Sequence, residues 1–218
     1  MIPAAFMFDL DGTLIDSESA WVRAILSWMA ENGVAENPET ISRHVFGHSW
    51  PDIHAYLHAA HPELPPTTIA EDSASLRRHH DLLGVKPEDE KIESSCEFFL
   101  KCAEIAPCCI VSGSPRADVL KYAETCGVAG KLAFALGPED YARGKPAPDG
   151  FLAAAKRLGA EPAQCVVIED STPGVASGVA AGMCVWGLNR SPSVAPDFTG
   201  CELVVSDLLQ INLDELRS

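Results

Sequence analysis

Short apolar runs and amphipathic stretches alternate along most of this chain, but the pattern changes character in one region. From Ile2 the sequence stays apolar to Phe8 and then breaks into Asp9-Leu10-Asp11-Gly12-Thr13, which reads as a buried strand entering a tight polar loop. A helix is predicted to start at Asp16 or Ser17, because Trp21, Ile25, Trp28 and Met29 recur at helical spacing and Asn32-Gly33 stops it. From there to Lys86 the chain holds all seven histidines, a Pro65-Pro66 break, and apolar positions (Ile53, Tyr56, Leu57, Ala60) spaced for helices. Beyond Lys86, short apolar segments at 108–111, 132–136, 165–168, 184–188 and 203–205 predict strands, with helices over about 115–126, 150–158 and 173–181. Repeated βα units of this length imply a doubly wound parallel sheet with helices on both faces, a Rossmann-like α/β core. Residues 1–15 and 87–218 are assigned to that core, and 16–86 to an inserted α-helical domain.

Composition narrows the function classes. The 218 residues are 47% hydrophobic and 22% charged, the balance of a globular chain. The net charge of -15 repels phosphate backbones and anionic lipid, so neither nucleic acid nor a membrane surface is an expected partner. A small anionic substrate remains open, since it needs only a local cluster of positive groups. No apolar run reaches the roughly 18–20 residues of a membrane helix, and Met1 to Asp9 reads as a first core strand rather than a signal peptide. The eight cysteines form no C-x-x-C pair and read as reduced thiols of a cytoplasmic protein. The acidic surface suits a soluble monomer.

Chemistry concentrates at the predicted strand ends. Asp9 and Asp11 follow the first strand, Ser112-Gly113-Ser114 follows Val111, Glu169-Asp170-Ser171 follows Ile168, and Lys145 stands in Gly144-Lys145-Pro146-Ala147-Pro148-Asp149. Ligands of open parallel sheets bind outside the carboxyl ends of the strands, where these groups converge. Clustered carboxylates call for a hard cation, Mg²⁺, and Lys145 with the Ser112 hydroxyl and nearby amides suits a phosphate. Gly174 and Gly182 read as close-packing positions.

The stretch Asp9-Leu10-Asp11-Gly12-Thr13-Leu14-Ile15-Asp16-Ser17-Glu18 resembles the first signature of the haloacid dehalogenase superfamily of phosphohydrolases. Ser112, Lys145 and Glu169-Asp170 resemble its other three motifs in order, and residues 169–183 are similar to its β-phosphoglucomutase and phosphatase branch. The resemblance implies that Asp9 is the nucleophile and forms an aspartyl-phosphate, while Asp11 is the general acid and base. It implies Mg²⁺ held by Asp9, Asp170 and the Asp11 carbonyl, with Glu169 touching the ion directly or through water. Ser112 and the amides of Leu10 and Gly113 would bind phosphoryl oxygens, with Lys145 offsetting charge. The insertion corresponds to that branch's helical cap, which closes over substrate.

Within the insertion, His54, His58 and His61 share a helix face at metal-compatible spacing, but no carboxylate or cysteine is seen to complete a shell. They and Arg77-Arg78-His79-His80 are read as exposed faces. His48 and Trp50 lie where the branch's specificity loop falls and are expected to select substrate. Against the mutases, Trp21 stands where their positioning histidine is, Trp50 replaces a specificity-loop arginine, Thr13 follows Asp-x-Asp-Gly, and Pro115-Arg116 follows motif two. The expected activity is therefore Mg²⁺-dependent hydrolysis of a small phosphorylated metabolite, a sugar phosphate or related polyol. The alternatives are a phosphohexomutase of the β-phosphoglucomutase kind and, further off, a non-catalytic phosphate- or metal-binding regulator.

Overall fold

The computed structural model describes residues 2–45, 50–190 and 196–217. Its contacts divide the chain into two units, residues 1–15 with 91–218, and residues 16–90. The helical unit runs to Glu90, whereas the sequence places the return at 87. The 3-10 turn Pro87–Glu90 still belongs to it, because the Glu90 carbonyl accepts the Asp16 N–H at 2.7 Å.

The first strand, β1 (Ala5–Phe8), leads into the helical unit, which contains α1 (Ser17–Glu31), α2 (Pro38–Val45), α3 (Trp50–Ala60) and α4 (Ile69–Leu82). Asp16 caps α1 by accepting the Ser19 N–H at 3.3 Å. Ile25, Trp28 and Met29 of α1 pack with Ile41, Ile53, Leu57 and Leu76 as the core of this unit.

The α/β unit continues with α5 (Glu93–Ala103), β2 (Cys108–Val111), α6 (Arg116–Thr125), β3 (Leu132–Leu136), α7 (Asp149–Leu158), β4 (Cys165–Glu169), α8 (Thr172–Ala180), β5 (Cys184–Leu188) and β6 (Leu203–Val205). The six strands form one parallel sheet in the order β3-β2-β1-β4-β5-β6. The two-residue period of β1 splits its side chains between layers. Phe6 and Phe8 pack with Phe98 and Phe99 of α5 and Val119 of α6, while Ala5 and Met7 meet Phe151 of α7 and Val175 of α8.

Helix α5 has no predicted range in the sequence. Ile92 precedes it without a capping hydrogen bond, so the polar start signal of a helix is absent although Phe98, Phe99 and Cys102 are buried. All eight cysteines are free thiols, six of them buried. Among the described residues no helix is long and apolar enough to cross a membrane.

Candidate active site

Strand register sets the site. Phe8 pairs with Ile110 on one side and Ile168 on the other, so Asp9, Val111 and Glu169 emerge level at the carboxyl edge of the sheet. The Asp9 N–H extends the ladder to the Ile168 carbonyl at 3.0 Å. Because β1 lies between β2 and β4, this edge is the place where strand order reverses and a crevice opens.

Lys145 reaches into this edge and spends all three ammonium hydrogens there. Its Nζ donates to Asp9 Oδ1, to Glu169 Oε1 at 2.6 Å and to the Val111 carbonyl at 3.1 Å. Glu169 is fully buried, and its Oε2 accepts the Asp170 N–H at 3.0 Å, the Ser171 N–H at 3.1 Å and the Ser171 hydroxyl at 3.0 Å. The Ser171 hydroxyl in turn accepts the Gly174 N–H at 3.1 Å and caps α8.

Two glycines make room for these carboxylates. Gly12 has φ +85°, and a Cβ there would lie 2.0 Å from Asp170 Oδ2; a Cβ at Gly174 would lie 1.8 Å from Glu169 Oε1. Gly174 is thus a close-packing position. Gly182 is not, because it turns the chain at φ +71° with open space where a Cβ would stand. Thr13, fully buried, donates its hydroxyl to Asp170 Oδ1 at 2.8 Å and fixes that carboxylate from the other side.

Asp11 is held separately. Its Oδ2 accepts the Ser112 hydroxyl at 3.2 Å and the Ser114 hydroxyl at 2.8 Å, while the Ser114 N–H donates to Ser112 Oγ at 2.9 Å across Gly113. Tyr141 donates its hydroxyl to the Ser112 carbonyl at 2.7 Å. The Leu10 carbonyl accepts the N–H groups of Thr13, Leu14 and Ile15, which curls the loop so that both aspartates stay at the edge. Thr13, Ser114, Tyr141 and Ser171 were not singled out as site residues in the sequence. Ser114 and Ser171 carry a faint signal, since each is a small hydroxyl residue next to a motif. Arg116 is not free for a ligand: it pairs with Asp140 Oδ1 at 2.5 Å.

Two carboxylates, Asp9 and Glu169, therefore face one ammonium, with Asp11 and Asp170 in the same strand-end loops. Burial opposes a charge on Lys145, but Asp9 and Glu169 outweigh it and hold the ammonium protonated. Burial pushes the Asp9 carboxyl well above the usual carboxylate range; Lys145 opposes this, and Glu169 and Asp11 reinforce it. Oxygens of Asp9, Glu169 and Asp170 come within 4.8 Å of one another. An all-oxygen, negatively overcharged set of this kind fits a hard divalent ion such as Mg²⁺. Both oxygens of Glu169 accept hydrogen bonds from the protein.

Of the cap positions, His48 lies outside the described residues. Trp50 stands at the start of α3 with its ring edge-on to Trp21, centroids 4.9 Å apart, and Trp21 also stacks on His80 at 4.4 Å. His54, His58 and His61 do not form one exposed helix face, and His61 falls just past the end of α3. His54 and His58 share the Asp72 carboxylate of α4, whereas His61 is buried within 3.5 Å of Glu36 and 3.7 Å of Glu63. His79 is likewise buried, between the Ser27 hydroxyl at 2.9 Å and Glu31 at 2.6 Å.

Comparisons with known proteins agree with this architecture. The chain is 31% identical over 210 residues to hexitol phosphatase A of Escherichia coli (strain K12), covering 95% of this chain and 93% of that one. It is 40% identical over 119 residues to the bifunctional riboflavin kinase/FMN phosphatase of Arabidopsis thaliana, spanning 53% of this chain but only 31% of that longer protein. Its fold matches the crystal structure of a HAD family hydrolase from Deinococcus radiodurans R1 with bound phosphate and sodium. The TM-score there is 0.79 at 28% identity, over 98% of this chain and 95% of that one. Residues 3–182 match the family model of haloacid dehalogenase-like hydrolases, and the chain belongs to that family.

Proposed function

We propose that the chain is a Mg²⁺-dependent phosphomonoester hydrolase acting on a sugar phosphate or polyol phosphate through an aspartyl-phosphate on Asp9. The observation that carries this reading is Lys145 bridging Asp9 and Glu169, with Asp170 alongside, at the edge where strand order reverses. A relative crystallised with phosphate and a cation supports it. So do two relatives named for phosphatase activity, on hexitol phosphates and on FMN, whose phosphate also ends a polyol chain.

In this reading Lys145 holds Asp9 against Glu169 and offsets the charge of an incoming phosphoryl group. The Ser112 hydroxyl and the amides of Leu10 and Gly113 orient its oxygens. An Asp9 oxygen forms a bond to phosphorus as the ester oxygen leaves, taking its proton from Asp11. Asp11 then accepts a proton from the water that attacks phosphorus, releasing phosphate and restoring the Asp9 carboxylate. The Ser114 hydroxyl keeps the Asp11 carboxyl oriented for both transfers, while the Ser112 hydroxyl turns from Asp11 to the phosphoryl group. Asp9, Asp170 and the Asp11 carbonyl would hold Mg²⁺, which when bound supplies charge neutralisation to a phosphoryl group in transfer.

Release of inorganic phosphate from a panel of sugar, polyol and other primary phosphates, with Mg²⁺ and with a chelator, tests the reading. Hydrolysis that requires Mg²⁺ is expected, as is its loss in Asp9→Asn by roughly 10⁴-fold or more, the scale of removing a covalent nucleophile. Unchanged turnover in Asp9→Asn would sink the covalent mechanism. Interconversion of hexose phosphates without phosphate release would favour the mutase; neither activity would favour a binding regulator.

A further inference from the structure

We propose that His54, His58 and Asp72 form a binding site for a divalent transition-metal ion, with zinc as the reference ligand, inside the helical unit. The site draws on the helical unit alone, and its chemistry differs from that of the oxygen-rich edge of the sheet. Residues four apart on α3 lie on the same helix face, so the two imidazoles project together. Helix α4 supplies Asp72, whose side chain is only 4% exposed. His54 Nδ1 and His58 Nε2 both lie 2.7 Å from the same oxygen, Asp72 Oδ2.

Three potential ligand atoms thus converge from two helices on a single point, all within 4.8 Å of one another. Metal–ligand bonds of about 2.0–2.1 Å in a tetrahedral shell separate neighbouring ligand atoms by roughly 3.3 Å. Small side-chain rotations would therefore open the cluster enough to admit an ion. The remaining carboxylate oxygen, Oδ1, accepts the Thr67 hydroxyl at 2.5 Å, and that hydroxyl also stands 3.2 Å from His58 Nε2. A group of this kind, fixing the orientation of a ligating carboxylate, is what supports a metal shell from outside. The edge of Trp28 restrains the His58 ring, with centroids 6.4 Å apart.

Two imidazole nitrogens and one carboxylate oxygen favour zinc, cobalt, nickel or copper over magnesium. One coordination position would remain for water. Bound there, the ion would clamp α3 to α4.

The test uses the full chain, stripped of metal and supplied with excess Mg²⁺ to occupy the carboxylate cluster. Zinc chloride is titrated in competition with a chromophoric chelator, and cobalt is used in parallel for its tetrahedral absorption bands. Wild type and Asp9→Asn should each bind one zinc per chain with the same affinity. His54→Gln and His58→Gln, both at partly exposed positions and checked for native circular dichroism, should each lose more than the roughly 10- to 100-fold typical of a supporting residue. Zinc should also raise the Tm of wild type and leave that of the two histidine variants unmoved. Three results overturn the proposal: no zinc bound by wild type, wild-type affinity in either histidine variant, or binding that disappears in Asp9→Asn instead.

Discussion

In the α/β unit, Asp9, Ser112 and Glu169-Asp170 all lie within two residues of a strand end, and the sheet register alone brings them level. In the helical unit, His54 and His58 of α3 meet Asp72 of α4, and His79 of α4 meets Ser27 and Glu31 of α1, each pairing made across helices rather than along one. A parallel sheet imposes a fixed register, so residues at equivalent strand ends must converge. Helix packing imposes only a range of angles and rotations, and which side chains meet depends on details that no local pattern reveals. The sheet edge gathers carboxylates around one ammonium, whereas the helices gather imidazoles around single carboxylates.

The largest expected effect lies in the sheet unit. Lys145→Met leaves Asp9 and Glu169 buried with no opposing charge, and losing one partner of a buried pair costs about 3–5 kcal/mol. Urea unfolding in the absence of Mg²⁺ should show that loss, together with abolished phosphate release. A change under 1 kcal/mol would mean that the Lys145 bridge does not hold the site together. Gly12→Ala comes next. The left-handed backbone at φ +85° costs a non-glycine residue roughly 1–2 kcal/mol, and the new methyl would displace Asp170. The Mg²⁺ concentration for half-maximal activity should rise about tenfold or more, as for loss of 1.4 kcal/mol in ion binding. Unaltered Mg²⁺ dependence would remove Asp170 from the proposed ligand set.

These contrasts explain what could be read in advance. All six strands were legible because β1, β2, β4 and β5 are near-continuous apolar runs bounded by polar loops, as strands buried on both faces must be. Asp9, Asp11, Ser112, Glu169 and Asp170 were legible as candidates because each lies at or just beyond a strand end, and Lys145 because it stands in the loop that leads into α7. Thr13 and Tyr141 were not, since a threonine closing a polar turn and a tyrosine in a loop carry no mark of their hydrogen-bond partners. Asp72 was missed for a related reason: it lies 14 residues beyond His58 in the chain, and only helix packing brings the two together.

Ser114→Ala separates the two aspartates of the sheet unit. It removes the 2.8 Å hydrogen bond to Asp11 and leaves the Ser112 contact and the Lys145 bridge in place. A hydrogen bond to a charged group contributes about 1.5–3 kcal/mol. If Asp11 transfers protons, kcat should fall roughly tenfold or more alongside a loss of urea stability of that size. An equal loss of stability with unchanged kcat would reduce Ser114 to a structural role.

The smallest expected effect belongs to the helical unit, at a feature that is purely local. Thr68-Ile69-Ala70-Glu71 forms a capping box at the start of α4: the Thr68 hydroxyl accepts the Glu71 N–H at 3.3 Å, and Glu71 Oε2 accepts the Thr68 N–H at 2.8 Å. The Thr68 N–H and the Thr68 hydroxyl, both donating to Glu71 Oε2, hold that carboxyl below its ordinary value. A lowered folded-state pKa means the stabilisation is present above the ordinary glutamate range and is lost as pH falls through the lowered value. Thr68→Ala should cost about 1 kcal/mol at neutral pH. The gap from wild type should narrow on acidification through and below that range, as protonated Glu71 loses its hold on the cap in wild type. A gap that stays constant down to the acid unfolding transition would show that Glu71 contributes nothing to the cap in solution. In that case the Thr68 hydroxyl alone caps α4, as the Asp16 carboxylate alone caps α1.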